Sequence, residues 1–269
     1  MTGKAEVGSP NSDTARLVRV RLKVAYDGAG FHGFADQPGV LTVAGVLTDA
    51  LSRWLRQPVK LTVAGRTDSG VHAWGQVVSF DINDSPEKPF DPRALQRAIN
   101  KTLAPAVVVR EASIAAPDFD ARHSARARHY RYQVLNCEAP DPFRAATAWH
   151  VAEPLDVSAM DVAAAAVVGE RDFSSFCRVP RRSLAPASMV RRVTGARWVQ
   201  ADENLLRFEV EASSFCHQMV RSLVGTLVAV GLGRRRADEM PSILEARSRA
   251  AAPDLAPPHG LCLWEVVYP

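Results

Sequence analysis

The chain of 269 residues lacks the features that staple small folds together or announce a metal. Its four cysteines, Cys137, Cys177, Cys216 and Cys262, stand roughly forty residues apart with no C-x-x-C pair. Such spacing argues against a disulfide framework and a zinc ribbon, and predicts four reduced thiols packed as small hydrophobes in a cytosolic protein. No H-x-E and no carboxylate-rich triad accompanies the histidines, so no metal site is expected. Long apolar runs are missing too. The longest, Ser222 to Gly233, is about a dozen residues where a membrane span needs about twenty, which predicts a buried helix. Residues 1–16 have no apolar stretch of the signal-peptide kind and read as a flexible tail. Lysine is scarce as well, supplying only 5 of the 33 basic side chains.

What is present is an ordinary globular composition, 47% hydrophobic and 23% charged, long enough for one large domain or two of ordinary size. The net charge of +4 conceals an uneven distribution. Residues 1–113 and 114–200 each carry +3, whereas 201–269 carry −2. Between Ala121 and Arg131 there are four Arg, two His and no acid; between Phe173 and Ala201 there are six Arg and no acid. Two such runs predict a localised basic face, and arginine suits planar, bidentate contacts to phosphate.

Hydrophobic period supplies the elements. Alternation over Leu17–Tyr26 predicts a strand, and Val43, Val46, Leu47, Ala50, Leu51, Trp54 and Leu55 recur at helical spacing behind Thr42 as cap. Strands are expected over 59–63 and 76–82, a helix over 91–103 opened by Asp91 and Pro92, and a strand over 107–114. The first half therefore reads β-α-β-β-α-β, the order of ferredoxin-like folds and RNA-recognition modules. The second half repeats the logic less cleanly: a strand over 128–135, a helix over 157–168, a hairpin over 190–212, helices over 215–231 and 237–247, and a closing strand over 261–268. The fold class is α+β. A flexible tail at 1–16 precedes two halves, 17–113 and 114–269, that share one sheet or one cleft.

The densest chemical signal is the loop Gly65-Arg66-Thr67-Asp68-Ser69-Gly70-Val71-His72, in which two glycines bracket an Arg and an Asp two apart. Glycine lets such a loop bend where other residues do not. An Asp here can cap a turn, pair with the Arg, or face a cleft beside it. G-x-x-x-x-G without a following Lys-Ser/Thr is not a nucleotide-binding loop, and His72 reads as a packed strand residue.

This stretch, extended to Phe80, resembles the signature of the tRNA pseudouridine synthase A family. The resemblance continues in order through Tyr26-Asp27-Gly28, Phe31-His32-Gly33-Phe34, Arg128-His129-Tyr130-Arg131-Tyr132, Asp172-Phe173-Ser174-Ser175-Phe176 and Phe215-Cys216-His217-Gln218-Met219-Val220-Arg221, from about residue 17 to the end. Phe34, Ala44 and His129 depart from the family's more common residues, and the loop Arg178 to Val190 is this chain's own.

The resemblance implies two ferredoxin-like halves with antiparallel sheets about a central cleft, the pseudouridine synthase fold. It implies isomerisation of uridine to pseudouridine at positions 38 to 40 of the tRNA anticodon stem-loop, in the cytoplasm, by a homodimer using neither metal nor cofactor. It makes Asp68 the catalytic carboxylate, acting as nucleophile or as base on the ribose, with Arg221 as its ion-pair partner. It sets Tyr130 against the target base and Arg66 in the gap that the flipped base leaves. The basic runs would then face the tRNA backbone, with Arg126, Arg128, Arg181, Arg182, Arg191 and Arg192 as phosphate contacts.

Overall fold

A computed structural model describes residues 16–85, 87, 89–178 and 188–269. The expected tail, except Arg16, and both Arg181 and Arg182 lie outside the described residues.

The first half follows the expected order: β1 (Arg16–Tyr26), α1 (Val43–Leu55), β2 (Thr62–Val63), β3 (His72–Asp84), α2 (Pro92–Leu103) and β4 (Val107–Ile114). The helix starts are where side-chain chemistry puts them. The Thr42 hydroxyl accepts the Gly45 N–H at 3.2 Å, and the Asp91 carboxylate accepts the Arg93 N–H at 2.8 Å with Pro92 at the first helical position. Val43, Leu47, Ala50 and Leu51 turn the buried face of α1 inward, as their spacing predicts.

The second half contains β5 (Ala127–Asn136), β6 (Trp149–Val151), α3 (Val157–Ala165), β7 (Gly169–Asp172), β8 (Val190–Asp202), β9 (Leu205–Ala212), α4 (Met219–Gly231), α5 (Met240–Glu245) and β10 (Leu261–Val267). Strands β6 and β7 were not expected, being too short to show an alternation. The helix expected over 215–231 begins only at Met219, because Gln218 takes a left-handed conformation (φ 65°, ψ 3°) and leaves Phe215, Cys216 and His217 on a turn. A 3-10 turn at Ala237–Glu239 likewise shortens the next helix.

Among the described residues ten strands form one sheet, in the order β4-β1-β3-β10-β5-β9-β8-β7, with β2 on β3 and β6 on β5. The two halves repeat one topology. In the first, β4-β1-β3-β2 is the ferredoxin-like order, and in the second β10-β5-β9-β8 reproduces it. They join through β3 and β10, which run parallel with Cys262 opposite His72 and Leu263 opposite Ala73. Strand β2 is only two residues long and pairs at Ser79 and Val78, so the other end of the same β3 edge is left for β10. The loop between β2 and β3 therefore emerges where the halves meet. One continuous hydrophobic cluster runs beneath both, from Val20 and Leu22 on β1 to Phe208 on β9 and Leu223 on α4.

The cysteine expectation needs correction. Cys177 and Cys216, 39 positions apart in sequence, are joined as a disulfide with Cα atoms 5.7 Å apart. Their distance along the chain hid a pairing that packing of the 3-10 turn Ser174–Phe176 beside the approach to α4 creates. Cys137 and Cys262 are free, and burial pushes the Cys262 thiol up to about 12.

Candidate active site

The Ala64–Val71 loop is fixed from below by its neighbours. Gln76 on β3 donates to the Gly65 carbonyl at 2.7 Å and to the Tyr26 hydroxyl, and that hydroxyl lies 2.8 Å from Thr67 Oγ1. Phe34 N–H donates to the Thr67 carbonyl at 3.1 Å, and Ser69 Oγ to the Phe31 carbonyl at 3.2 Å. Desolvation of the phenol outweighs these hydrogen bonds and holds Tyr26 well above its ordinary pKa, so it stays a neutral donor and acceptor. Of the two bracketing glycines only Gly70 has a positive φ, +76°; Gly65 does not. The closest backbone approach involves Gly28, where a Cβ would lie 2.2 Å from the Val71 carbonyl oxygen. His72 is the expected packed residue: its Nδ1 accepts the Gly28 N–H at 3.1 Å, and Nε2 faces the carbonyls of Ala146 and His259.

Asp68 stands on this loop with its side chain 26% exposed. Arg221, on the first turn of α4, brings Nη1 to 3.7 Å from Oδ2, while its Nε donates to the Ala256 carbonyl at 2.8 Å. The pairing implied by the resemblance is thus present. On the other side His217 Nε2 lies 3.3 Å from Asp68 Oδ1. Tyr130, on the inward-facing side of β5, is buried and packs edge-on against Phe215 with ring centroids 5.0 Å apart. Burial keeps its phenol protonated, far above the ordinary value. Its hydroxyl comes 3.9 Å from where a Cβ on Gly65 would be, so the ring abuts the 64–71 loop.

These side chains line a cleft of about 1210 Å³. Among the described residues six arginines reach it, Arg66, Arg122, Arg128, Arg178, Arg191 and Arg221, against two carboxylates, Asp68 and Asp120. The two acids differ in kind. Asp120 accepts the backbone N–H groups of Arg122 and His123, each at 2.8 Å. Burial alone would raise its pKa, but those bonds outweigh it and hold the carboxyl below its usual range. Asp120 is a turn cap; Asp68 faces the cleft between two basic side chains.

The expected phosphate contacts divide. Arg66 is exposed at the cleft, Arg126 is exposed on the segment entering β5, and Arg191 reaches the cleft from β8. Arg128 does not behave as a phosphate contact. Its buried guanidinium donates to the carbonyls of Ala64, Arg122, Ala125 and Ser213, fastening four segments together. Arg192 points to the opposite side of β8 from Arg191 and pairs with Glu170 at 3.1 Å. Arg122 and Arg178 line the cleft without having been singled out individually, although both belong to the acid-free runs. His217 was concealed by a heptapeptide that reads as a helix start.

The chain matches the family described as tRNA pseudouridine synthase over residues 23–124 and 163–269. Similar proteins include "tRNA pseudouridine synthase A" of Frankia casuarinae, 45% identical over 258 residues, covering 95% of this chain and 91% of that one. The protein of the same name in Halalkalibacterium halodurans is 43% identical over 246 residues, covering 91% and 90%. That of Leifsonia xyli is 41% identical over 276 residues, covering 95% and 93%. Among solved structures, a chain of a Cbf5-Nop10-Gar1 complex gives a TM-score of 0.34 at 13% identity, over 78% of this chain and 44% of that one, a likeness too low to bear on the site. The chain belongs to the tRNA pseudouridine synthase family, and is thereby an isomerase acting on uridine in tRNA. Among the described residues no helix is long and apolar enough to cross a membrane.

Proposed function

We propose that the chain converts uridine to pseudouridine at positions 38, 39 and 40 of the anticodon stem-loop, with Asp68 as the reacting carboxylate. The observation that carries this reading is the setting of Asp68. It is the cleft carboxylate not occupied by backbone N–H groups, and it lies between Arg221 and His217 beside the buried ring of Tyr130. The reaction breaks the C1′–N1 bond, turns the uracil and joins C1′ to C5; the proton lost from C5 is balanced by one gained at N1. Asp68 serves as nucleophile or as base on the ribose, and for either role it must be ionised, which a neighbouring guanidinium favours. Tyr130 lies against the flipped uracil, and exposed Arg66 fills the vacated stack. Arg66, Arg122, Arg178 and Arg191 supply the cleft charge that draws in the phosphate backbone. The enzyme works in the cytoplasm as a homodimer, the state in which a substrate longer than one protomer is held by two.

The test is release of tritium from C5-labelled uridine in tRNA by wild type and Asp68→Asn. Release by wild type that disappears in the variant, and also when uridines 38, 39 and 40 are replaced by cytidine, supports the reading. Equal release from both proteins, or undiminished release from the cytidine-substituted tRNA, overturns it.

A further inference from the structure

The turn before α4 is held far more firmly than a helix entry requires. Gln218, a residue with a Cβ, sits in the left-handed region at φ 65°, a conformation that persists only when its surroundings impose it. Those surroundings are visible. Cys216 is tied to Cys177, the His217 carbonyl accepts the Arg178 N–H at 2.9 Å, Phe215 packs edge-on against Tyr130, and the Met219 N–H returns to the Cys216 carbonyl at 3.1 Å. Between these anchors the His217 side chain is 44% exposed, so no core packing explains where the ring goes. Its partner among the described residues is Asp68.

We propose that His217 is a positioning residue for Asp68: its imidazole Nε2, 3.3 Å from Oδ1, turns to donate to that oxygen when the substrate is seated, while the Arg221 charge, 3.7 Å from Oδ2, draws the other, so that the plane of the carboxylate is set from both sides. The inference rests on the reading of Asp68 as the reacting group. A carboxylate held at one oxygen swings about its χ2 torsion, which is broad for Asp. Held at both oxygens it presents one edge to the ribose, and misplacement by about an ångström is enough to lower a rate by about a hundredfold. The locked turn then has a purpose, since a donor on a mobile loop fixes nothing. Arg221 cannot do this alone, because its Nε is already bonded to the Ala256 carbonyl and only Nη1 approaches Asp68.

The experiment compares wild type, His217→Leu, His217→Asn and His217→Gln in single-turnover tritium release, with tRNA affinity by filter binding and folding by thermal melting. Leucine keeps bulk but donates nothing; the glutamine amide reaches the place of Nε2, and the asparagine amide falls about one bond short. The expected result is a loss of about ten- to a hundredfold in rate for Leu and Asn, the range for one hydrogen bond to a charged group. Gln should recover to within about threefold of wild type by the same reasoning. Affinity and melting temperature stay near wild type throughout. A Leu variant as fast as wild type, a Gln variant no faster than Leu, or a loss confined to tRNA affinity overturns the proposal. If Leu fails to fold, the Gln-to-Asn ratio carries the same test. Active wild type with indifferent variants removes this proposal alone, whereas inactive wild type removes the functional reading with it.

Discussion

Arg221 approaches Asp68 with a single nitrogen, Nη1 at 3.7 Å from Oδ2, because its Nε is bonded to the Ala256 carbonyl. The Ala256 N–H in turn donates to the Arg221 carbonyl at 3.0 Å, so the first turn of α4 and the chain leading to β10 fix each other. The guanidinium thereby gains its direction from the backbone, and Asp68 gains a charge that does not wander.

Lysine cannot make both contacts. In Arg221→Lys the expected single-turnover rate falls by about a hundredfold, near 2.7 kcal/mol, while tRNA affinity changes little because the side chain is only 12% exposed. The measurement is the rate at saturating enzyme; a value within about threefold of wild type would show the pair to be dispensable.

A second expectation concerns the floor of the loop that carries Asp68. A Cβ at Gly28 would meet the Val71 carbonyl oxygen at 2.2 Å, and backbone cannot step aside as a side-chain tip does. Gly28→Ala should destabilise the fold by about 3 kcal/mol. A Cβ at Gly65 would meet nothing nearer than the Tyr130 hydroxyl at 3.9 Å, and its φ is not positive, so Gly65→Ala should alter stability by less than about 1 kcal/mol. Urea denaturation of both variants decides. Equal losses would mean that glycine is needed for loop bending at both positions rather than for close approach at one.

These particulars show what a linear sequence conveys. Asp68, Tyr130 and Arg221 were singled out because they stand in ordered motifs, and β1 followed from alternation. Arg128 was misread although the signal was available: it shares parity with Tyr130 and Tyr132 on β5 and so turns inward with them, while Arg126 remains exposed. Parity likewise separates Arg191 from Arg192 on β8. The joining of β3 to β10 and the Cys177–Cys216 link were hidden, since each depends on segments brought together only by the completed sheet. His217 was lost to a pattern that looked helical until a single left-handed residue interrupted it.

The two kinds of arginine should separate in experiment. Arg128→Met keeps the aliphatic stem but leaves four carbonyls without their donor, so a loss of about 3 kcal/mol in stability is expected. Arg122 is exposed at the cleft, and Arg122→Ala should leave the melting temperature unchanged. It should instead weaken tRNA binding and reduce the slope of log affinity against log salt by about one. An unchanged slope in Arg122→Ala would remove it from the phosphate contacts; an unchanged melting temperature in Arg128→Met would return Arg128 to them.

Glu209 on β9 gathers three arginines: Arg197 at 2.7 Å, Arg207 at 3.0 Å and Arg131 at 3.2 Å, with its own side chain 7% exposed. Burial alone would raise its pKa, but the hydrogen bond from Arg197 and the charges of Arg207 and Arg131 outweigh it and hold the carboxyl below its ordinary value. A carboxyl depressed in the folded state stabilises that state above the unfolded pKa, and the contribution disappears as pH falls through the folded one. Glu209→Gln should therefore cost about 2 kcal/mol at pH 7, less than a fully buried pair because Arg197 is 68% exposed. The gap between variant and wild type should narrow as pH falls below the ordinary glutamate range, and close once the folded carboxyl takes up its proton. Melting temperatures of the two proteins at pH 7 and at acid pH measure the gap directly. A difference that stays constant would mean that the glutamate acts through packing and not through its charge.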